Sequence, residues 1–421
     1  MAGDLPGDRV REVSDEPGSP NPFEGFPLFG DIAKLFGQGG GGVPWDAARN
    51  LALAVATDNT SEPNVDPLER IKLEQLARVA ELHVANVTGL STSVTGRELT
   101  VLPVNRGHWA QRTLEDYRPL LENLAGSLGA PGEDEEDEDE IGFGLDEPGP
   151  EDQFAAMLGP MIQAMQPMMV AMTAGSMVGH LARRSLGQYD LPIPRPPSDE
   201  LMILVRNLDA FGAEWSLPAD DLRLWICVHE IAHHAVLGVP HVRARLTGLL
   251  SEYTTKFRND PGALEDQLGD LDLSGGPESI ARIQEALGEP GALLGAIQSD
   301  AQRALLPRLE ATVAVVAGVV DHVMDQVGGK LIGSYGMLTE ALRRRRVETA
   351  ESDRFVERLL GLELTQAVYD RGANFVDGVV ERAGEEGLAR LWESDKMLPN
   401  PPEVDAPGLW LARIELPDDL G

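Results

Sequence analysis

The sequence predicts a mainly α-helical protein with a very small β component. Aromatic residues make up only 5% of the chain, and runs rich in Val, Ile, Thr and Tyr, which favour strands, are few. Apolar residues instead recur three and four positions apart through long segments, the spacing that places them on one face of a helix. With 42% hydrophobic residues among 421, the chain can bury a substantial core.

Residues 1–43 are expected to form a flexible leader, because residues 1–22 are polar and Gly39–Gly42 is a four-glycine linker. Helices are predicted after it at residues 44–56, 66–90 and 106–128. Residues 91–104 hold Thr, Val and Leu and predict a short strand or hairpin. Residues 129–150 are rich in Gly, Pro and acids, so we expect a disordered, solvated loop. The rest of 44–421 is expected to form a single domain.

Helical pattern resumes at 152–186, with interruptions predicted near Pro160 and Pro167. A proline-rich connection then leads to Leu201–Val205, a short apolar run that is the best candidate strand in the chain. Beyond the central helix, further helices are predicted at residues 241–257, 278–287, 290–301, 307–327, 337–346, 353–360 and 364–383. The tail from Leu398 carries Trp410 and Ile414 and is expected to pack on the body.

The central segment, Leu222–Gly238, contains the motif HExxH as His229-Glu230-Ile231-Ala232-His233. On a helix, residues four apart differ by about 40° in projection, so both imidazoles point the same way. That spacing suits two nitrogen ligands for one zinc ion, with Glu230 as the general base. Pro218, Asp220 and Asp221 suit a helix start. His234 is about 140° from His229 around this helix, so we do not assign it as a ligand.

A catalytic zinc ion needs a third protein ligand. The extended motif HExxHxxGxxH is absent, because valine occupies both required later positions, 236 and 239. A carboxylate from the helix predicted at 307–327 is the alternative. Glu310 and Asp321 share one face of it with Ala314 and Ala317, and either acid could be the ligand. Asp321 is the first choice.

Composition excludes several classes of partner and compartment. A formal charge of −34 argues against binding to nucleic acid or to anionic membranes. No signal peptide is evident, and no segment has about 20 consecutive apolar residues. The single cysteine, Cys227, excludes an internal disulfide and fits a reducing cytosol, so a cytoplasmic protein is expected. Cys227 itself is interpreted as a core residue.

Several segments resemble, in order, a family of bacterial zincin-like proteins described as metal-dependent hydrolases or zinc-dependent metallopeptidases. The matching segments are NPFEGFPLFGDIAKLFG, PWDAARNLAL, LRLWICVHEIAHH, VDHVMD, EALRRRR, FVERLLGLEL and LPNPPEVDAPGLWLARI. The resemblance implies a helical zincin-type fold, metal binding by His229 and His233, and base action by Glu230. Relatives often carry Glu-Gly-x-x-Asp on the later helix, where this chain has Ala317-Gly318-Val319-Val320-Asp321.

The motif and the resemblance together predict a zinc-dependent hydrolase, a peptidase or amidase acting on a peptide or small amide. The alternative is a non-catalytic scaffold or binding protein with a degenerate metal site, which the missing glutamate at position 317 favours. The run Arg343–Arg346 has two interpretations, a solvated helix end or a site for an anionic ligand. The sequence does not define an oligomeric state.

Overall fold

The computed structural model describes residues 42–129, 150–257, 299–347, 351–362 and 364–416, and the unit that they belong to is Val43–Gly421. The predicted leader, most of the acidic loop and the helices predicted at 278–287 and 290–301 lie outside the described residues. The elements are, in order, α1 Trp45–Thr57, α2 Pro67–Thr88, β1 Thr100–Val104, α3 Arg106–Gly129, α4 Pro150–Arg184, β2 Glu200–Leu204, α5 Val205–Glu214, α6 Ala219–Gly238, α7 Pro240–Thr254, α8 Asp300–Leu331, α9 Tyr335–Val347, α10 Glu351–Leu359, α11 Gln366–Ala389, α12 Pro401–Asp405 and α13 Pro407–Glu415.

Helix α6 lies at the centre of this unit and carries the HExxH motif. Its residues from Leu222 to Leu237 are all buried apart from Leu224, so the motif lies in the interior of the protein. The helix packs against α2 and α8. Pro218 caps its start, the carboxylates of Asp220 and Asp221 lie in its positive first turn, and Pro240 begins α7 directly after it. The central helix is therefore confirmed.

The predicted strand is also confirmed, shifted by one residue. Strand β2 pairs in parallel with β1, with Leu201 opposite Val101. Its other edge is occupied as well, because the N–H of Leu204 donates to the carbonyl of Leu186 at 2.9 Å and Ile203 bridges Gly187. The C-terminal end of β2, at Ile203 and Leu204, is thus paired on both sides.

Helix α4 differs from the prediction, because it runs without interruption through both Pro160 and Pro167. A proline inside a helix removes one hydrogen bond and crowds the preceding turn. The C-terminal half of α4 packs closely on α1: a Cβ on Gly175 would lie 2.5 Å from the carbonyl oxygen of Ala48. Tertiary packing of this kind outweighs local propensity.

The C-terminal helices cover α8. Gly318 of α8 and Gly372 of α11 meet backbone to backbone, and a Cβ added to Gly372 would lie 1.9 Å from the carbonyl oxygen of Ala314. Gly318 and Ala314 of α8 therefore allow α11 to approach closely. Trp410 is fully buried and Ile414 nearly so, which confirms that the tail packs on the body. None of the described helices is long and apolar enough to cross a membrane.

Candidate metal site

A cavity of about 250 Å³ opens beside the motif. Helix α6 contributes His229 and His233 to its wall, and α8 contributes Ala317 and Asp321. The arginines that line it are Arg184, Arg345 and Arg346. The helix geometry thus brings together three of the predicted site residues, His229, His233 and Asp321, although they are up to 92 positions apart in the chain (321 − 229).

The two imidazoles lie side by side on this wall, with ring centroids 4.4 Å apart. The Nδ1 atom of His233 is 3.1 Å from the carbonyl oxygen of His229, and the Nδ1 atom of His229 is 3.1 Å from Oε1 of Glu230. Both Nδ1 atoms therefore face acceptors, which favours the tautomer with hydrogen on Nδ1 and a lone pair on Nε2. Metal-binding histidines in proteins commonly have this arrangement.

Burial sets the charge of both rings. It lowers the pKa of His229 to about 4 and that of His233 to about 3, because the charged form loses its hydration. Both imidazoles are consequently neutral at neutral pH. A metal cation needs the neutral form, since a protonated ring has no lone pair to donate.

The third residue of the motif, Glu230, has no exposed surface. Its Oε2 accepts hydrogen bonds from the backbone N–H groups of Gln188 at 2.7 Å and Tyr189 at 2.9 Å, while its Oε1 faces His229. Burial raises the pKa of Glu230 to about 7. Among the residues that the structure describes around the cavity, Glu230 is not part of the wall. Its carboxylate lies behind His229.

The two candidate carboxylates on α8 lie in different places. Asp321 lines the cavity and forms an ion pair with Arg346, with Oδ1 and Nη2 3.5 Å apart. Glu310 is half-buried, and the described cavity wall does not include it. Ala317 lies one turn before Asp321 on the same wall and is 3% exposed, so the position where relatives often carry glutamate does face the cavity.

The structure also places the other residues that the sequence singled out. His234 is buried, with its Nδ1 atom 3.1 Å from the hydroxyl of Tyr189. Cys227 is a fully buried core residue, as predicted, and burial raises the pKa of its thiol to about 12. His241 contacts the carbonyl oxygen of Leu391 through Nε2 at 2.9 Å. None of these three residues is in the cavity wall as described.

The segment between α4 and β2 is the part of the site that the sequence analysis missed. Its residues Gly187, Gln188 and Tyr189 hold Glu230, and a Cβ on Gly187 would lie only 2.4 Å from the Glu230 Cδ atom. Asp190 follows and accepts a hydrogen bond from Arg345 at 3.2 Å. The sequence predicts only a proline-rich connection here, because the segment has no helical or strand periodicity. The local feature that could have indicated a role in the site is a glycine followed by polar residues.

Of the three protein ligands that a catalytic zinc ion needs, two are in place in this cavity. His229 and His233 have the tautomer, the charge state and the proximity that such a cation needs. The carboxylate of Asp321 is on the same wall but is paired with Arg346. Across the described ranges, no group of three His, Cys, Asp or Glu side chains comes close enough together to hold a metal ion. Asp321 would have to exchange Arg346 for the metal.

The fold and this pair of histidines define a zincin-like protein. The chain belongs to the zincin-like metallopeptidase family, whose model matches residues 43–411. The family implies a metal ion, typically zinc. The mainly helical fold predicted from the sequence is thereby confirmed.

A solved structure from Chloroflexus aurantiacus, of a protein proposed to be a hydrolase and described as having a novel fold, is similar to this chain. The two share 22% sequence identity with a TM-score of 0.60, and the match covers 89% of this chain and 99% of that one. At this identity the likeness concerns the fold. No curated protein matches the chain in sequence.

Proposed function

We propose that this chain is a metal-dependent hydrolase that cleaves peptides or small amides, with zinc as its metal. The observation that carries the proposal is the pair of neutral imidazoles of His229 and His233, each with Nδ1 facing an acceptor, on the wall of one cavity. A set of imidazole and carboxylate ligands suits zinc. His229, His233 and Asp321 would hold it.

The chemistry that a bound zinc ion supplies is Lewis-acid polarisation of the scissile carbonyl and activation of water. The residues of the chain have separate tasks. The carbonyl oxygen of His229 orients the ring of His233, and the backbone around Gln188 fixes Glu230. From the motif we propose that Glu230 is the general base, and its raised pKa suits that role. Its contacts support a second role directly, that of orienting His229.

The test is the metal content of the purified full-length chain, measured with and without prior treatment with a chelator. We expect about one zinc ion per chain, and a sharp loss in His229→Ala and in His233→Ala. His241→Ala is the matched control, because it removes a partly buried histidine that is not among the cavity residues and whose Nε2 atom lies 2.9 Å from the carbonyl oxygen of Leu391. Unchanged metal content in His229→Ala would exclude the proposed site.

A second candidate is a non-catalytic binding protein that keeps the fold but has a degenerate metal site. Two observations favour it: Ala317 occupies the cavity wall where relatives often have a glutamate, and Asp321 is paired with Arg346. The variant Ala317→Glu separates the candidates. If the wild-type site is degenerate, the added carboxylate should raise zinc affinity by about tenfold or more, whereas a competent site should gain little.

A further inference from the structure

The cavity beside the two histidines is lined by charged side chains of both signs. Three guanidinium groups, of Arg184, Arg345 and Arg346, line its wall, although the whole chain has a formal charge of −34. Guanidinium groups stay charged at all physiological pH values and present donors in a planar fork that matches a carboxylate. A carboxylate that enters the cavity meets donors of this geometry, although Asp190, Asp321 and Glu357 balance the formal charge of the arginines in the wall.

Helix α9 divides the arginine run between two environments. Arg343 and Arg344 point outward and pair with Glu340, with closest contacts of 2.9 and 2.7 Å, and all three side chains are substantially exposed. Arg345 and Arg346 reach the cavity instead. The guanidinium of Arg346 lies 4.0 Å above the ring of Tyr369. Of the two interpretations of this run, a solvated end therefore describes the first pair only.

Two of the cavity arginines form ion pairs with carboxylates that are more buried than the arginines themselves. The side chain of Asp190 is 11% exposed, against 28% for its partner Arg345, and Glu357 is 9% exposed, against 23% for Arg184. Asp190 is itself fixed by the N–H of Leu186 at 2.9 Å. Arg345 also donates to the carbonyl oxygen of Arg184, which links the two arginines. The acids thus hold the guanidiniums in place, and the arginine side chain is the more exposed member of each pair.

We propose that Arg184 and Arg345 bind a carboxylate of the substrate, so that the cavity selects short peptides or amides with a free carboxylate near the bond to be cleaved. This inference rests on the proposed function for the cleavage itself, but the recognition that it describes does not need a metal. A volume of about 250 Å³ is at the small end for ligand pockets, which are roughly 300–1,000 Å³, and this favours a short substrate.

A singly charged carboxylate suits the cavity better than a phosphate does. Asp190, Asp321 and Glu357 also line it, and their negative charges offset those of the three arginines. Because the formal charges of the wall balance, the second charge of a phosphate gains no net Coulomb attraction, while removing a dianion from water costs more than removing a monoanion. The experiment therefore includes inorganic phosphate as a separate ligand.

The test measures binding to the full-length chain by calorimetry after removal of metal with a chelator, so turnover and metal content do not enter. The probes are N-acetyl-alanyl-alanine with a free carboxylate, the same peptide with a C-terminal amide, and inorganic phosphate. We expect the acid to bind about tenfold or more tightly than the amide, a difference of about 1.4 kcal/mol, because hydrogen bonds to a charged carboxylate are stronger than those to a neutral amide. Phosphate should bind more weakly than the acid.

Variants identify the residues responsible. Arg345→Gln should remove the preference for the acid, and Arg345→Lys should keep part of it, because lysine retains the charge but not the fork. Arg344→Gln is the matched control: it makes the same change on the same helix, on the solvent side, and should retain the preference within twofold. Circular dichroism checks that each variant folds.

Several results would overturn the proposal. Equal binding of acid and amide by the wild-type chain, or no binding of the acid, does so without any variant. Equal or tighter binding of phosphate would make the ligand class wrong. A preference that survives in a folded Arg345→Gln chain would exclude the assigned residue. Loss of zinc in the separate metal experiment leaves this proposal intact, and failure here leaves the metal site intact.

Discussion

Glu230 is held in place by three donors, and its substitution separates its two proposed roles. Oε2 accepts two backbone N–H groups while Oε1 accepts from His229. In Glu230→Gln, the side-chain oxygen should keep accepting from the two backbone N–H groups. The NH₂ group then takes the place of Oε1 and donates to Nδ1 of His229. That ring would then carry its hydrogen on Nε2, where it cannot bind a metal. We expect zinc affinity to fall by about 10–100-fold, measured by competition with a chelating dye.

The zinc affinity and the turnover of Glu230→Gln together distinguish the two proposed roles of Glu230, orienting His229 and acting as the general base. Full zinc affinity with loss of hydrolysis would show a general base and no orienting role. Full affinity with full turnover would exclude both roles. His241→Ala, on the neighbouring helix α7, again serves as the control for nonspecific effects of a substitution on zinc affinity.

Asp321 and Glu310 are the two carboxylates that the sequence analysis left open as the third ligand. Asp321 lines the cavity, and Glu310 lies about three turns away along α8. We expect Asp321→Ala to lower zinc affinity by at least about tenfold, and Glu310→Ala to leave it within twofold. Zinc titration of both variants measures this. Loss of affinity in Glu310→Ala alone would identify the other acid as the ligand, and no loss in either would leave two histidines as the only protein ligands.

At the level of elements, the sequence predicted the helices better than the contacts between them. The HExxH helix, the strand at 201–205 and the long helix with Asp321 follow from local periodicity and caps, and the structure contains all three. The backbone donors to Glu230 were not predictable in this way. They come from residues about 40 positions earlier in the chain, and no local pattern encodes a contact over that distance.

The close approach of α8 and α11 shows the same limit. The small residues Ala314, Ala317 and Gly318 are visible in the sequence and permit close packing of a neighbouring helix. Which neighbour uses that space depends on a second glycine, Gly372, on a helix about 54 residues away (372 − 318). A glycine predicts a close approach, but its partner is a property of the tertiary fold.

The turn before β1 depends on one buried carboxylate, Asp199, at the start of β2. It accepts hydrogen bonds from the backbone N–H groups of Val94, Thr95 and Arg97, at 2.6 to 3.1 Å. Burial alone would raise the pKa of Asp199, but the Thr95 hydroxyl and these backbone donors outweigh it and lower the pKa to about 2. The charged form is therefore favoured in the folded state.

This shift predicts a pH-dependent contribution of Asp199 to stability. Because its folded pKa lies below the unfolded value of 3.8, the contribution is complete above about pH 4 and is lost as the pH falls towards 2. A shift of nearly two units corresponds to about 2 kcal/mol. Asp199→Asn should lower the free energy of unfolding by about this amount at pH 7 in urea denaturation, with a difference from wild type that shrinks as the pH approaches 3.

Asp220→Asn is the control for this measurement, because that carboxylate is largely exposed and its ion pair is with the surface residue Lys72. It should leave the free energy of unfolding nearly unchanged. A difference between wild type and Asp199→Asn that is constant from pH 7 to pH 3 would show that packing, and not the charge of Asp199, is responsible.

For the whole molecule, the net charge can be read directly from the sequence. The eight consecutive acids from Glu133 to Glu140 contribute a large share of the formal charge of −34. Deletion of residues 132–144 removes these eight acids and no Lys or Arg, which changes the formal charge to −26 (−34 + 8). Like charges repel one another in a compact state, so their removal should favour folding slightly.

We expect this deletion to leave the thermal midpoint within about 3 °C of wild type, or to raise it slightly, because a Gly-, Pro- and acid-rich composition buries little apolar surface. Differential scanning calorimetry at low and at high salt measures the change. A matched variant keeps the full length of the chain and replaces the eight acids by Ser and Gly. Comparison with the deletion separates the effect of the charge from the effect of the length of the segment. Since salt screens repulsion, any gain should shrink at high salt. A fall of more than about 10 °C in the deletion, with wild-type stability in the Ser–Gly chain, would show that the length of the segment is required.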